Sequence, residues 1–429
     1  MPSGAPTDLG PVDLFLFRAH QEMRARGLGG NACALVLELA GRLATDRLDR
    51  RLARAVAELC ELRWQLGRGL DLQPQWRVAR ARPGPPFEVR ALAPDGPVLD
   101  AAAALLDEPM GWRRPWEIVL LRAAAADAIV LRWLHPLGDA RGVARLLGWV
   151  GEPEAPAPPS TRRFAAPCPA LRRLSWRERL QLAGAYREHA RALGARSTLS
   201  LDTAAGRPRP IRTRVLRLRL DAAGTQRFDA GARRRGESGV VLVAACRLVD
   251  RLLGARGYSP PRHLVPVPVS LDAKKESERM FGNNLTMLLL SVDRELLGDE
   301  ARALAGLAAQ KRAIVQQRLD LAMLAALQLG RYLPGPAFSR VSRGPFGGER
   351  GSFVLSCPGQ IPIEHFLGVP VQDAYFLPAV ALPPGLLVVA DRHGGRLGLT
   401  LLFVEPAVQT DEVARELAEL ERDLLGDPG

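Results

Sequence analysis

Lysine is almost missing from this chain: among 59 basic residues only Lys274, Lys275 and Lys311 are not arginine, so the formal net charge of +13 is an arginine charge. An arginine- and alanine-rich composition is what a biased source genome produces on its own. The spread positive charge would also suit an anionic partner, such as a nucleotide-bearing thioester, an acidic carrier protein or a membrane surface in peripheral contact. The arginines are scattered, with no basic stripe interleaved with aromatics, which argues against nucleic acid. Cysteine is sparse: Cys33, Cys60, Cys168, Cys246 and Cys357 lie far apart and form no CxxC pair, which excludes a disulfide framework and a cysteine-based zinc site. No run approaches the ~20 apolar residues that span a bilayer. The opening MPSGAPTDLGPVD lacks a basic region followed by an apolar one, so no signal peptide is expected and a cytoplasmic location is. Neither GxxxxGK[ST] nor GxSxG occurs, which removes nucleotide hydrolysis and serine-esterase chemistry.

What is present reads as globular. Hydrophobic residues make up 47% and charged residues 24% of 429 residues, a length that exceeds the usual single core. The proline-rich stretch GEPEAPAPPSTRRFAAPCPA from 151 can neither continue a helix nor donate to a sheet. It divides the chain into an N-terminal lobe over 1–150, a linker or crossover over 151–174 and a C-terminal lobe over 175–429. In the first lobe the pattern predicts a buried strand over Cys33–Leu39 and a helix capped by Asp46, with Leu48, Leu52, Val56 and Leu59 at helical spacing. Short strands follow over 75–80 and 87–92, then a hairpin of Glu117–Arg122 with Ala128–Leu134.

In the second lobe Ser175 and Glu178 form a capping box, and Leu216, Leu218 and Leu220 alternate with arginines as in a strand with one wet face. A helix over 240–253, strands over 264–270 and 285–292, one long helix over 299–329 and a strand over 352–356 complete its middle. A hairpin around DRHGG and a helix over 411–425 end the chain. Helices and strands mix in both lobes without regular βαβ alternation, so two α/β sandwich-like lobes fit better than a doubly wound sheet.

The stretch WLHPLGDARGV, from Trp133 to Val143, carries the chemistry. Of six histidines only His135 has an acidic residue four positions on, Asp139. The pair sits between a buried strand and a helix whose inner face is Val143, Leu146, Leu147 and Val150, where a rigid element can project a side chain into a cleft. Imidazole titrates near neutral pH, so His135 suits a general base that takes a proton from an attacking hydroxyl or amine. Asp139, at the helix start, suits a cap and an arginine partner that hold the turn in shape. A strand-end histidine beside a capping aspartate, with no chemistry, accounts for these residues as well.

Strand, His135, Pro136, Leu137, Gly138, Asp139, Ala140, Arg141, Gly142, helix resembles the HHxxxDG motif of the thioester-dependent acyltransferase superfamily. That superfamily holds chloramphenicol acetyltransferase, the condensation domains of peptide synthetases and the wax ester synthase/diacylglycerol acyltransferases. The Leu62–Arg63 pair, VPVPVSLD (265–272), FGNN (281–284) and VLSCPGQ (354–360) resemble its further landmarks in order. Two departures stand out. Leu134 replaces the first histidine, and Ala140 follows the aspartate, with glycine delayed to Gly142. No DFGWG segment is present, which favours a stand-alone acyltransferase over a peptide-bond-forming domain.

The resemblance implies two chloramphenicol-acetyltransferase-like α/β lobes with a central tunnel. Within it an acyl group passes from a coenzyme A or carrier-protein thioester to a hydroxyl or amine of a small-molecule or lipid acceptor. It implies His135 as base and Asp139 as support, with Arg63 or Arg18 as the salt-bridge partner, and no bound cofactor or metal. Ser270, Asn284 or Ser356 would supply the oxyanion donor, though each also fits a turn or strand-end role. The alternative is a member that has lost its chemistry and docks a carrier protein, motivated by Leu134, Ala140 and the positive charge. Lys274, Lys275 and Arg279 form either a solvated loop or a phosphate contact. His365 and His393 have no partner at metal-ligand spacing. Trp112, Trp116, Trp133 and Trp149 crowd the His135 region, as core or as the lining of an acyl channel.

Overall fold

The computed structural model describes residues 6–69, 73–79, 87–93, 96–152, 169–194, 198–202, 211–272 and 279–426. The strand Ala32–Leu39 is apolar on both faces up to Glu38 near its end, as suits a strand at the centre of a covered sheet, and lies inside a six-stranded sheet. On one side it pairs antiparallel with Asp127–Leu134, which forms the expected hairpin with Trp116–Arg122; Phe87–Ala91 then adds parallel at that edge. On its other side stands Val369–Leu377, followed by the short His365–Phe366. Those last two strands come from far beyond the proline-rich stretch. Residues 1–150 therefore do not build the first sheet alone, and a cut at 175 does not separate the two sheets.

The second lobe centres on a four-stranded sheet in the order Val354–Gln360, Leu386–His393, Arg396–Glu405, Arg212–Arg219. Its hairpin turns at Gly394 and Gly395 with φ of 56° and 73°, a left-handed pair that glycine adopts without a Cβ penalty. A separate antiparallel pair, Arg262–Ser270 with Leu285–Asp293, is joined to this lobe where Ser352 N–H donates to the Leu264 carbonyl at 2.6 Å. The two sheets are also tied by charge. Arg217 reaches Asp391 at 3.2 Å in its own sheet and Asp373 at 3.3 Å in the other, and its guanidinium lies 4.5 Å from the Tyr375 ring centroid.

Three local expectations are corrected. The helix Thr45–Glu58 begins two residues earlier than a cap at Asp46 requires, with Ala44 in the cap position, and Asp46 pairs instead with Arg50 at 2.9 Å. The long helix is two, Glu300–Gln316 and Leu319–Gly330, broken at Arg318 with φ 55°. Beyond the break Met323 takes the Met287 N–H at its sulfur and Leu324 and Ala325 enter a different apolar cluster, so packing overrides helical propensity there. The terminal helix likewise divides into Thr410–Arg415 and Leu417–Leu425. The Ser175–Glu178 capping box is present as expected, with Ser175 N–H donating to Glu178 at 2.7 Å. No helix among the described residues is long and apolar enough to cross a membrane.

Candidate active site

His135 opens a single helical turn, His135–Leu137, directly after the fully buried strand Asp127–Leu134. Its backbone is held at both ends. The His135 N–H donates to the Asn31 carbonyl at 3.0 Å, and its carbonyl accepts from the Asn283 side chain at 2.9 Å and from Gly138 N–H at 3.2 Å. Trp133 donates its indole N–H to the Gly138 carbonyl at 2.9 Å, closing the turn from the strand side. The His135 side chain is half-buried, and its Nδ1 is sealed from solvent with no hydrogen-bond partner. Burial lowers the imidazole pKa below its ordinary value, opposed by the residue's own carbonyl and by Asn283, so the ring is neutral at pH 7 and able to accept a proton.

Asp139 occupies the N-cap of the helix Ala140–Gly151, and its Oδ1 accepts the Gly142 N–H at 2.7 Å. Burial raises its pKa, and Arg279 and Arg145 act on it only through their field. Neither expected salt-bridge partner reaches it. Arg18 donates to the carbonyls of Gly330 at 2.7 Å, Arg331 at 2.9 Å and Leu333 at 2.7 Å, and the Arg63 Nε is buried without a partner. Asp139→Ala should therefore lose the cap and about 1 kcal/mol of stability in urea unfolding. Asp139→Asn, which keeps an oxygen acceptor and sheds a buried charge, should stay within a few tenths of a kcal/mol of the wild type. A larger loss in the Asn variant than in the Ala variant would mean that the charge itself holds the turn.

The FGNN segment from the second half of the chain lies directly on this turn. Gly138 and Gly282 form a parallel bridge, Gly282 N–H donates to the Leu137 carbonyl at 2.6 Å, and Asp139 N–H donates to the Gly282 carbonyl at 3.2 Å. The approach is so close at Gly142 that a Cβ there would sit 2.8 Å from the Met280 carbonyl oxygen and 3.1 Å from that of Arg279. The glycine displaced from the position after Asp139 is thus the one this backbone contact requires, and Ala140 is free to be half-buried helix. Leu134, where the motif has its first histidine, is fully buried beside Ala32, Met110 and Trp112.

The oxyanion candidates part company. Ser270 Oγ accepts the Asp272 N–H at 3.2 Å and the Asn284 side chain donates to Asp272 at 2.8 Å, while Arg279 also pairs with Asp272; the first two are engaged in holding that loop. Ser356 lies on the edge strand Val354–Gln360 at an irregularity in its register, and no hydrogen bond engages its hydroxyl among the described residues. Two residues on, the Pro358 carbonyl accepts from Arg141 at 2.9 Å, which ties this strand to the helix that follows His135. Beside Ser356 the Cys357 thiol is pushed up to about 12 by burial. Lys274 and Lys275 lie outside the described residues. Trp116, Trp133 and Trp149 are core residues, whereas Trp112 is half-buried, packed on Phe17 and edge-on to His20.

Two residues at the site escaped the sequence reading. Asp13, on the helix Pro11–Ala25, accepts the second N–H of the Asn283 side chain at 2.8 Å, and Asn283 was passed over for its neighbour Asn284. The Gly-Asn-Asn run marked the segment, but nothing local tells which asparagine turns inward.

No protein-family model matches the sequence, and none of the curated proteins does. The structure has the two-lobed, chloramphenicol-acetyltransferase-like fold of condensation domains and related acyltransferases. It is similar to the first condensation domain of the CDA synthetase, with 15% identity, a TM-score of 0.69 and coverage of 99% of this chain and 96% of that one. It is also similar to the trichothecene 15-O-acetyltransferase TRI3 from Fusarium sporotrichioides (11% identity, TM-score 0.68, 99% of this chain and 95% of that one). A third similar structure is the starter condensation domain of the rhizomide synthetase RzmA, a mutant in complex with C8-CoA (14% identity, TM-score 0.64, 98% and 94%). At such identities the likeness establishes the fold.

Proposed function

We propose that this protein is an acyltransferase that moves an acyl group from a coenzyme A or carrier-protein thioester to a hydroxyl or amine acceptor, with His135 as general base. The observation that carries this reading is the placement of His135: it follows the buried motif strand on a backbone held at both N–H and C=O, with Nδ1 sealed, and burial favours the neutral ring. Nε2 takes the proton of the acceptor O–H or N–H as that atom attacks the thioester carbonyl. The tetrahedral intermediate then expels the thiolate, which recovers the proton from the imidazolium and leaves as free thiol. Donor and acceptor would meet at His135 from opposite ends of a tunnel between the lobes. A Cys357 thiol raised to about 12 is no nucleophile at neutral pH, which favours direct transfer over an acyl-enzyme.

Ser356 is the oxyanion donor this reading prefers, because its hydroxyl is unengaged while Ser270 and Asn284 are tied to Asp272. Removing one such donor costs on the order of 10²–10³ in kcat, so Ser356→Ala should show a loss of that order with KM little changed, measured by steady-state kinetics. An unchanged kcat would return the role to another group. The reading as a whole is tested by incubating the purified protein with acyl-CoA and acyl-carrier thioesters of several chain lengths, with alcohol, amine and lipid-alcohol acceptors. Acceptor-dependent release of free thiol and formation of the ester or amide are expected. Tight thioester binding with no turnover for any acceptor would overturn it.

A further inference from the structure

Asp13 is a buried carboxylate with no ion pair among the described residues, an expensive arrangement that needs a reason. Its two oxygens have one partner each: Oδ2 accepts the Gly10 N–H at 3.1 Å at the start of its own helix, and Oδ1 accepts the Asn283 side chain at 2.8 Å. Both amide protons of Asn283 are thereby assigned, one to Asp13 and the other to the His135 carbonyl at 2.9 Å. An amide nitrogen placed between two acceptors has one allowed orientation, so the Asn283 oxygen is fixed as an acceptor. That oxygen is buried and unpaired, as is the Nδ1 of His135. The groups that favour a proton on this ring are the residue's own carbonyl and the Asn283 side chain.

We propose that Asn283 and Asp13 are positioning residues for His135. Asn283 holds the backbone and sealed edge of His135 so that Nδ1 carries the proton and Nε2 is the free base, and Asp13 prevents the Asn283 amide from turning over. The arrangement runs from carboxylate to amide to histidine and joins three distant parts of the chain: the first helix, the FGNN segment and the end of the motif strand. It rests on the reading of His135 as the base, but its test does not require turnover.

With ¹⁵N-labelled histidine, the His135 signal is identified by its absence in His135→Ala, and its nitrogen shifts report which nitrogen is protonated. The wild type should show a protonated Nδ1 and a lone pair on Nε2. Asn283→Ala should populate the other tautomer and move the His135 titration to lower pH, because an acceptor that favoured the imidazolium is gone. It should also lower kcat by about tenfold or more with KM changed less than about twofold. Asp13→Ala should shift the tautomer in the same direction. Asp13→Asn, which keeps an acceptor for Asn283, should restore most of the wild-type signal, and it gives the answer if the alanine variants do not fold. A folded Asn283→Ala protein that keeps the Nδ1–H tautomer and the wild-type titration would overturn the proposal. If His135→Ala leaves the transfer rate intact, the acyltransfer role of His135 fails separately, while the tautomer result still decides this one.

Discussion

His135→Ala is expected to lower acceptor-dependent thiol release by about 10²- to 10⁴-fold, the range a positioned general base supplies. The protein should remain folded, since the residue's structural bonds are made by its backbone N–H and C=O, which alanine retains. The pH dependence of the wild type carries a second expectation. Burial lowers the His135 pKa, so the neutral, competent ring persists below the ordinary histidine value of about 6.5. The acidic limb of kcat/KM should accordingly lie below that value, with activity falling only as pH drops through the lowered pKa. The same shift has a stability consequence with a definite sign. A histidine whose folded pKa is lowered takes up its proton more readily in the unfolded chain, so this residue favours unfolding as pH falls through the unfolded value toward the folded one. A His135→Ala protein with the wild-type rate would remove the base from this histidine.

Gly142→Ala should have the next largest effect. The added Cβ would meet backbone at 2.8 Å and 3.0 Å, atoms that no side-chain rotation can move away, so the Arg279–Asn283 segment must shift. Overpacking of this kind costs about 1–3 kcal/mol. The segment that moves carries Asn283 and the bridge to Gly138, and displacing the turn by a fraction of an ångström should reduce turnover by about 10- to 100-fold. Ala140→Gly, which restores the glycine to the position after Asp139, should not raise activity, because the close backbone contact with Met280 falls at Gly142. A Gly142→Ala protein of wild-type stability and turnover would show that the FGNN segment yields freely and does not set the site.

Much of this was local in origin and so legible in the chain. The apolar run of Ala32–Leu39, the hairpin ending at Leu134 and the aspartate one residue before Ala140 each follow from patterns within about ten residues. Periodicity and cap chemistry act through neighbours along the backbone, so the strand–His135–cap–helix order could be read with its roles attached. The break at Arg318 was not legible, since neither glycine nor proline marks it and the helix beyond it packs against a strand elsewhere, where Met323 accepts the Met287 N–H.

By itself, then, the sequence determined the strands and helix around the motif, the position of His135 at a strand end, the cap at Asp139 and the two-lobed class of fold, but not the helix Pro11–Ala25 or the strand Val369–Leu377. Only the tertiary structure decided which residues surround the histidine. Val369–Leu377 crosses back into the first sheet, Arg18 is bonded elsewhere than to Asp139, and Asn283 donates both to the His135 carbonyl and to Asp13, 270 positions away along the chain. The reason is physical: a period or a cap is fixed by bonds along the chain, whereas a partner across the chain is chosen by how the sheets pack and where a glycine lets two backbones touch.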